Sequence, residues 1–148
     1  MSIKNIDDLV NVLESKGEKL IPLSHKELSS IESLSSLGLP QLYKDFLSKM
    51  GKGSGSFMRG SSVFYDEIPN LKEWSDELLE ENEFEKLPEN VFVFWMHQGY
   101  QLAFFVLGES SNPDVYSFSE VEDVDEFRHE GTFIEFLNKQ LKAVEDNS

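Results

Sequence analysis

VFVFWMHQGYQLAFFVL, residues 91–107, sets two strongly apolar runs on either side of a histidine, a glycine and two glutamines. Both runs are rich in aromatic and branched side chains, and both are too short for separate helices. They read as paired strands serving the core. His97, Gln98 and Gly99 are then the hairpin connection.

Helical patterns surround this hairpin. Asn5 precedes IDDLVNVLESKG, a short capped helix with Ile6, Leu9, Val10 and Leu13 on one face and Gly17 after its end. Ser24 and Glu27 make a capping box for a second helix, in which Leu28, Ile31 and Leu34 keep helical spacing as far as Gly38. LGLPQLYKDFLSKMG, residues 37–51, predicts a third helix with Leu42, Tyr43, Phe46, Leu47 and Met50 as its apolar stripe. GKGSGS lacks the strand, residue order and following helix of a phosphate-binding loop, so a flexible helix exit is expected. SSVFY is expected to form a short strand. From Pro69 or Asn70 to about Phe84 a fourth helix follows, with Leu71, Trp74 and Leu78 inward. DVYSF predicts a further strand. Thr132 and Glu135 box the start of a last amphipathic helix, leaving residues 1–144 as one domain and 145–148 as a frayed tail.

The chain has 148 residues and no cysteine, which removes disulfides, thiolate metal sites and cysteine nucleophiles and fits a reducing compartment. No apolar run approaches the roughly 20 residues of a membrane span, and the first residues show no secretory pattern. A soluble cytoplasmic protein is expected. The formal charge of −15 is unevenly placed. Residues 1–60 carry seven acids and eight bases, whereas residues 61–148 carry twenty-one acids and five bases. Such a surface repels nucleic acid and anionic membrane and attracts basic partners.

On the fourth helix the carboxylates crowd one another. Glu73 and Glu77, Asp76 and Glu80, and Glu77 and Glu81 are like-charged i, i+4 pairs, each unfavourable by roughly 0.2–0.5 kcal/mol. Lys72 with Asp76 alone opposes them, and Glu80, Glu81 and Glu83 sit at the negative end of the helix dipole. A solvated face that aids solubility and a functional contact surface both fit this pattern.

The residues for catalysis are not assembled in the sequence. There is no G-x-S-x-G elbow, and His25, His97 and His129 stand in unrelated contexts. A hydrolase using His97 would show turnover lost on His97→Ala, and no turnover is expected. No metal site and no cofactor are expected either. Asp123 and Asp125 imitate the start of a calcium loop, but Arg128 stands where the sharp turn needs glycine.

Leu39, Pro40, Tyr43, Phe46, Leu47 and Gly51 resemble the signature of the SUKH superfamily: Leu-Pro, two residues, Tyr, two residues, Phe-Leu and a glycine exit. The resemblance continues in order through VFVFWMHQGYQLAFF, PDVYSF and TFIEFL, covering roughly residues 24–141. Met50 stands where many members carry Asn, and HQGYQ where many carry a Gly/Asp-rich hairpin. The resemblance implies a single α+β domain, a central, mostly antiparallel sheet flanked by helices, with no catalytic centre. Bacterial members are immunity proteins that neutralise polymorphic or secreted toxin domains, many of them nucleases; fungal relatives are interaction hubs in cell-wall signalling.

The charge reading agrees, because a nuclease toxin needs a basic cleft that an acidic inhibitor can occupy. The expected partner is therefore a cognate toxin with such a cleft. Its expected contacts are Glu73, Asp76, Glu77 and Glu80 of the acidic helix, then Glu122, Asp123, Asp125 and Glu126 of the segment from Glu120 to Glu130. Tyr100 is the proposed aromatic anchor, with Tyr65 and Tyr116 as further candidates. An adaptor module without a toxin partner remains the alternative, and the oligomeric state is left open.

Overall fold

Strands β4 (Val91–His97) and β5 (Gln101–Val106) pair antiparallel across a tight turn, as the apolar runs predict. Gln98 and Gly99 adopt φ of 51° and 78°, and the Tyr100 amide donates to the His97 carbonyl at 3.2 Å. Left-handed backbone at two successive positions matches the right-handed twist of the flanking strands, and glycine makes it accessible at the second.

In the computed structural model, residues 2–108 and 110–146 are described. Around the hairpin they form α1 (Ile6–Ser15), β1 (Leu20–Ile21), α2 (His25–Glu32), α3 (Gln41–Met50), β2 (Gly53–Ser54) and β3 (Ser61–Ser62). A 3-10 turn (Ile68–Asn70) leads into α4 (Leu71–Glu81), and β6 (Asp114–Ser119), β7 (Arg128–Thr132) and α5 (Phe133–Asp146) follow the hairpin. The order β3-β4-β5-β6-β7 makes one antiparallel sheet, with β1 and β2 as a separate pair. This is a single α+β domain.

One face of the sheet carries α3 and α5. Tyr43 of α3 is fully buried and meets the rings of Phe105 at 5.0 Å, Phe92 at 5.7 Å, Phe133 at 5.9 Å and Phe94 at 6.2 Å. A register shift between Val93 and Trp95 turns two successive side chains toward the same helix. Phe94 and Trp95 thus both touch Phe136 of α5, at 5.2 and 5.4 Å. The opposite face carries α4 and the residues after it: Phe84 packs on Phe118 at 4.6 Å, and Phe127 on Phe104 at 5.0 Å.

Gly51 closes α3 for want of space rather than for want of an unusual φ. Its φ is −65°, but a β-carbon there would lie 2.5 Å from Leu23 Cγ and 2.6 Å from the Leu47 carbonyl oxygen. Gly51→Ala is therefore expected to lower stability by about 1–3 kcal/mol through overpacking. At Gly38, where an added β-carbon meets nothing within 4 Å, the same change should leave the urea midpoint level or slightly raised. Equal midpoints for the two variants would mean that Leu23 yields freely.

Several sequence expectations need correction. The second helix stops at Glu32 and Leu34 is 48% exposed, so it does not run on to Gly38. The fourth helix stops at Glu81, where the Asn82 side chain and backbone both return to the Leu78 carbonyl. Trp74 is exposed; the inward stripe is Leu71, Ser75, Leu78 and Leu79. The stretch GKGSGS is more than a flexible exit, because Gly53 and Ser54 pair with Ile21 and Leu20. Only Ser61 and Ser62 of SSVFY are strand. Helix α5 continues through Asp146, past the expected start of the tail, and Asn147 and Ser148 lie outside the described residues.

Candidate functional site: an acidic surface

Two acidic elements distant in sequence meet where α4 ends. Asn82 Nδ2 donates to Glu120 Oε2 at 3.4 Å, and Phe84 is inserted against both Phe118 and Phe127. This joins the end of α4 to the connection between β6 and β7. Glu80, Glu81 and Glu83 are exposed on one side of the junction, and Glu120, Glu122, Asp123, Asp125 and Glu126 on the other. Like charges so close in water repel weakly, yet together they build a field that reaches about a Debye length, roughly 8–10 Å.

The expected contact residues divide accordingly. Glu80 belongs to the junction. Glu73 stands about 10 Å further up the helix, seven residues at 1.5 Å each, so it borders the patch rather than forming its centre. Asp76 and Glu77 lie between, with Asp76 held by Lys72 at 2.7 Å. Glu122 is engaged by Arg128 at 3.0 Å, whereas Asp123, Asp125 and Glu126 are exposed. Tyr100 sits in the β4–β5 turn, half-buried against His97, and its carbonyl accepts from the Glu120 amide at 3.0 Å. It therefore borders the acidic connection. Tyr65 and Tyr116 are half-buried, and Tyr116 is stacked on Phe104 at 5.9 Å, which makes it part of the core rim.

Two apolar side chains that sequence reasoning did not place in the contact surface stand beside these carboxylates. Trp74 is 37% exposed on the outer side of α4, and Val121 is 74% exposed in the acidic connection. A groove of about 1060 Å³ also runs along α4, with Leu34, Leu37, Phe84 and Leu87 in its wall and Asp76, Glu80 and Glu83 at its acidic edge. Leu34 and Leu37 are 48% and 46% exposed there, so apolar and acidic surface lie side by side.

The helix that follows Leu39 and Pro40 and carries Tyr43 lies at the centre of the fold, against the hairpin that carries the second block of resemblance. A family model described as SMI1-KNR4 cell-wall, of the SUKH group, matches residues 25–137, more than half of the chain. The chain belongs to the SUKH superfamily. No curated protein and no solved structure matches it. In this SUKH domain the signature residues are structural: Tyr43, Phe46 and Leu47 are buried, Pro40 precedes the first turn of α3, and Gly51 admits Leu23.

His97 is placed by the sheet. Its Nδ1 lies 2.9 Å from Ser61 Oγ, and Ser61 is its direct cross-strand partner. The ring stacks on Trp95 at 5.8 Å. Among the described residues no carboxylate is bonded to His97 to orient it as a base. The described residues of this SUKH domain also contain no cluster of three or more His, Cys, Asp or Glu that could hold a metal, and no helix long and apolar enough to cross a membrane.

Glu130, the last of the acidic segment, faces the other way. Burial pushes its carboxyl pKa up, but the Ser117 hydroxyl at 2.6 Å, the Lys139 ammonium at 3.0 Å and the nearby Arg128 outweigh burial and hold it below the ordinary glutamate range. A group that binds its proton less readily when folded stabilises the fold above its unfolded pKa, and that contribution is lost as pH falls through the folded value. The stability gap between this SUKH domain and its Glu130→Gln variant should thus be constant above about pH 5 and shrink below about pH 4. Urea midpoints between neutral and acid pH measure it. A gap indifferent to pH would reduce Glu130 to a neutral acceptor.

Proposed function

We propose that this SUKH domain is a non-catalytic immunity protein that binds a cognate toxin domain and neutralises it by occlusion, through the acidic surface at the end of α4. The observation carrying the reading is the contact of Asn82 with Glu120, which unites the two acidic elements. Charge alone steers encounter but supplies little residence time, which depends on buried aromatic and apolar anchors. Trp74, Val121 and the groove walls give the surface such anchors beside its carboxylates. The complementary partner presents Lys and Arg around a cleft, as a protein that grips nucleic acid must.

The test is co-expression with the product of the adjacent gene, scored for rescued growth and for a complex that co-purifies. Rescue with a complex, without chemical change to the partner, is the expected outcome. Rescue accompanied by turnover that His97→Ala abolishes would replace occlusion with catalysis. An adaptor without a toxin is the second reading, favoured by the cell-wall description of the matching family. It predicts housekeeping neighbours and no growth phenotype from any adjacent gene.

A further inference from the structure

The groove along α4 joins exposed apolar side chains to unpaired carboxylates. Leu34 and Leu37 belong to the connection between α2 and α3, and they share the groove with Leu79, Phe84, Leu87 and Val91. The turn that carries the two leucines is closed by its own hydrogen bonds: the Leu34 amide donates to the Ile31 carbonyl at 3.0 Å, and the Leu37 amide to Ser35 Oγ at 3.1 Å. Both leucines nevertheless leave nearly half of their surface in water, which a partner covering the groove would remove.

Charge decides what can cover it. The carboxylates of Asp76, Glu80, Glu83 and Glu89 stand against the ammonium groups of Lys72 and Lys86, four against two, a net of −2. Lys72 is already paired with Asp76 at 2.7 Å. Glu80, Glu83 and Glu89 are exposed and have no ion-pair partner among the described residues. A second copy of this chain docked groove to groove would bring the same carboxylates together, and nucleic acid or an anionic membrane would be repelled as well. Glu83 also holds the left-handed position that closes α4, with φ of 53°, its amide returning to the Glu80 carbonyl at 3.1 Å and that of Phe84 to Leu79 at 2.9 Å. Glycine or asparagine is the favourable residue there, so this carboxylate stands at the groove against the local preference.

The groove also has a direction. Lys72, Asp76, Leu79 and Glu80 recur at the helix period, so it follows α4 for about 12 Å at 1.5 Å per residue. A second helix laid alongside covers that length with side chains at i, i+3, i+4 and i+7, and, its backbone bonds being internal, needs only side-chain contacts from the wall. Resting on the acidic-surface reading above, we infer that the groove receives a basic amphipathic helix of the partner protein. Its apolar stripe covers Leu34, Leu37 and Leu87, and its flanking Lys or Arg side chains meet Glu80, Glu83 and Glu89.

The probe is a fluorescein-labelled peptide of about 14 residues, with leucine repeating at i, i+3, i+4 and i+7 and lysine elsewhere. Its anisotropy should rise saturably with this SUKH domain, with a midpoint of about 10 μM or lower at low salt. A scrambled peptide of the same composition, and one keeping the stripe but carrying glutamate for lysine, should each bind at least about tenfold more weakly. Leu34→Gln with Leu37→Gln should cost at least about tenfold while leaving the urea midpoint near that of the parent, since both side chains are exposed. Glu83→Gly should weaken the peptide by about twofold to fivefold and raise the urea midpoint, because glycine relieves the left-handed backbone. Equal binding of the scrambled or the glutamate peptide, or an affinity that the leucine variant leaves in place, would overturn the inference. So would a dimer, seen by sedimentation of the parent, that the leucine variant abolishes. Growth rescue by the domain without peptide binding would remove the groove helix and leave occlusion standing; peptide binding without rescue against any adjacent gene product would do the reverse.

Discussion

Replacing Tyr43 with Phe should raise the free energy of unfolding by about 1 kcal/mol, and replacing it with Ala should lower it by about 3–5 kcal/mol. The same side chain gives opposite results because its ring and its hydroxyl do opposite things. The ring touches four phenylalanines from two strands and a helix, tying α3 to β4, β5 and α5 at the centre of the core. Truncation leaves a cavity that those aromatic neighbours, packed on several sides, cannot refill. The hydroxyl, however, is buried with no hydrogen-bond partner among the described residues, and burial holds its phenol protonated far above the ordinary range. Phe keeps the ring and removes the unpaired oxygen. Urea unfolding of the two variants against the parent measures both numbers. A loss of stability in Tyr43→Phe would show that the hydroxyl has a partner worth more than its desolvation, such as an enclosed water.

Tyr43 also shows what kind of information the sequence carries. Its position after Leu-Pro was legible because an i, i+3, i+4 stripe is local, and the hairpin was legible because Gly99 divides two apolar runs. The capping boxes at Ser24 and Thr132 are local in the same sense, and both form. The SUKH signature gathered these pieces into the right fold.

The structure departs from the local sequence pattern where tertiary contact overrides it. Leu71, Trp74 and Leu78 have helical spacing, but so do Leu71, Ser75 and Leu78; the second set is buried and the indole is turned outward. A small polar residue against the sheet gives no hydrophobic signal. β7, with the sequence RHEGT, has no apolar alternation to announce a strand and exists as an edge paired to β6. Of the acidic surface, the residues were legible and the join was not, because residue 82 meets residue 120 across the sheet's end. A cavity of about 830 Å³ under α5 was illegible altogether, since its wall is drawn from all five strands of the main sheet and the helix itself.

Glu80→Lys with Glu81→Lys should stabilise the fold while reducing association with the proposed basic toxin by an order of magnitude or more at low salt, on the scale of about 10–10³ set by electrostatic steering. In the parent helix Asp76 faces Glu80, and Glu77 faces Glu81, one turn apart at a helix end where the dipole already disfavours anions. The double variant turns both repulsions into acid-to-lysine pairs in the favourable orientation and places cations at the C-terminus, a gain of about 1 kcal/mol in total. Loss of binding in a protein that unfolds later than its parent cannot be blamed on misfolding. Glu14→Lys with Glu32→Lys, on α1 and α2, changes the net charge by the same amount away from the junction and should reduce the rate far less. Salt separates the mechanisms further: the parent's association rate should fall steeply as the ionic strength rises, and that of the junction variant should be nearly flat. Equal losses in the two double variants would mean that total charge steers the encounter. An unchanged rate in both would leave Trp74, Val121 and the groove to hold the partner without help from the carboxylates.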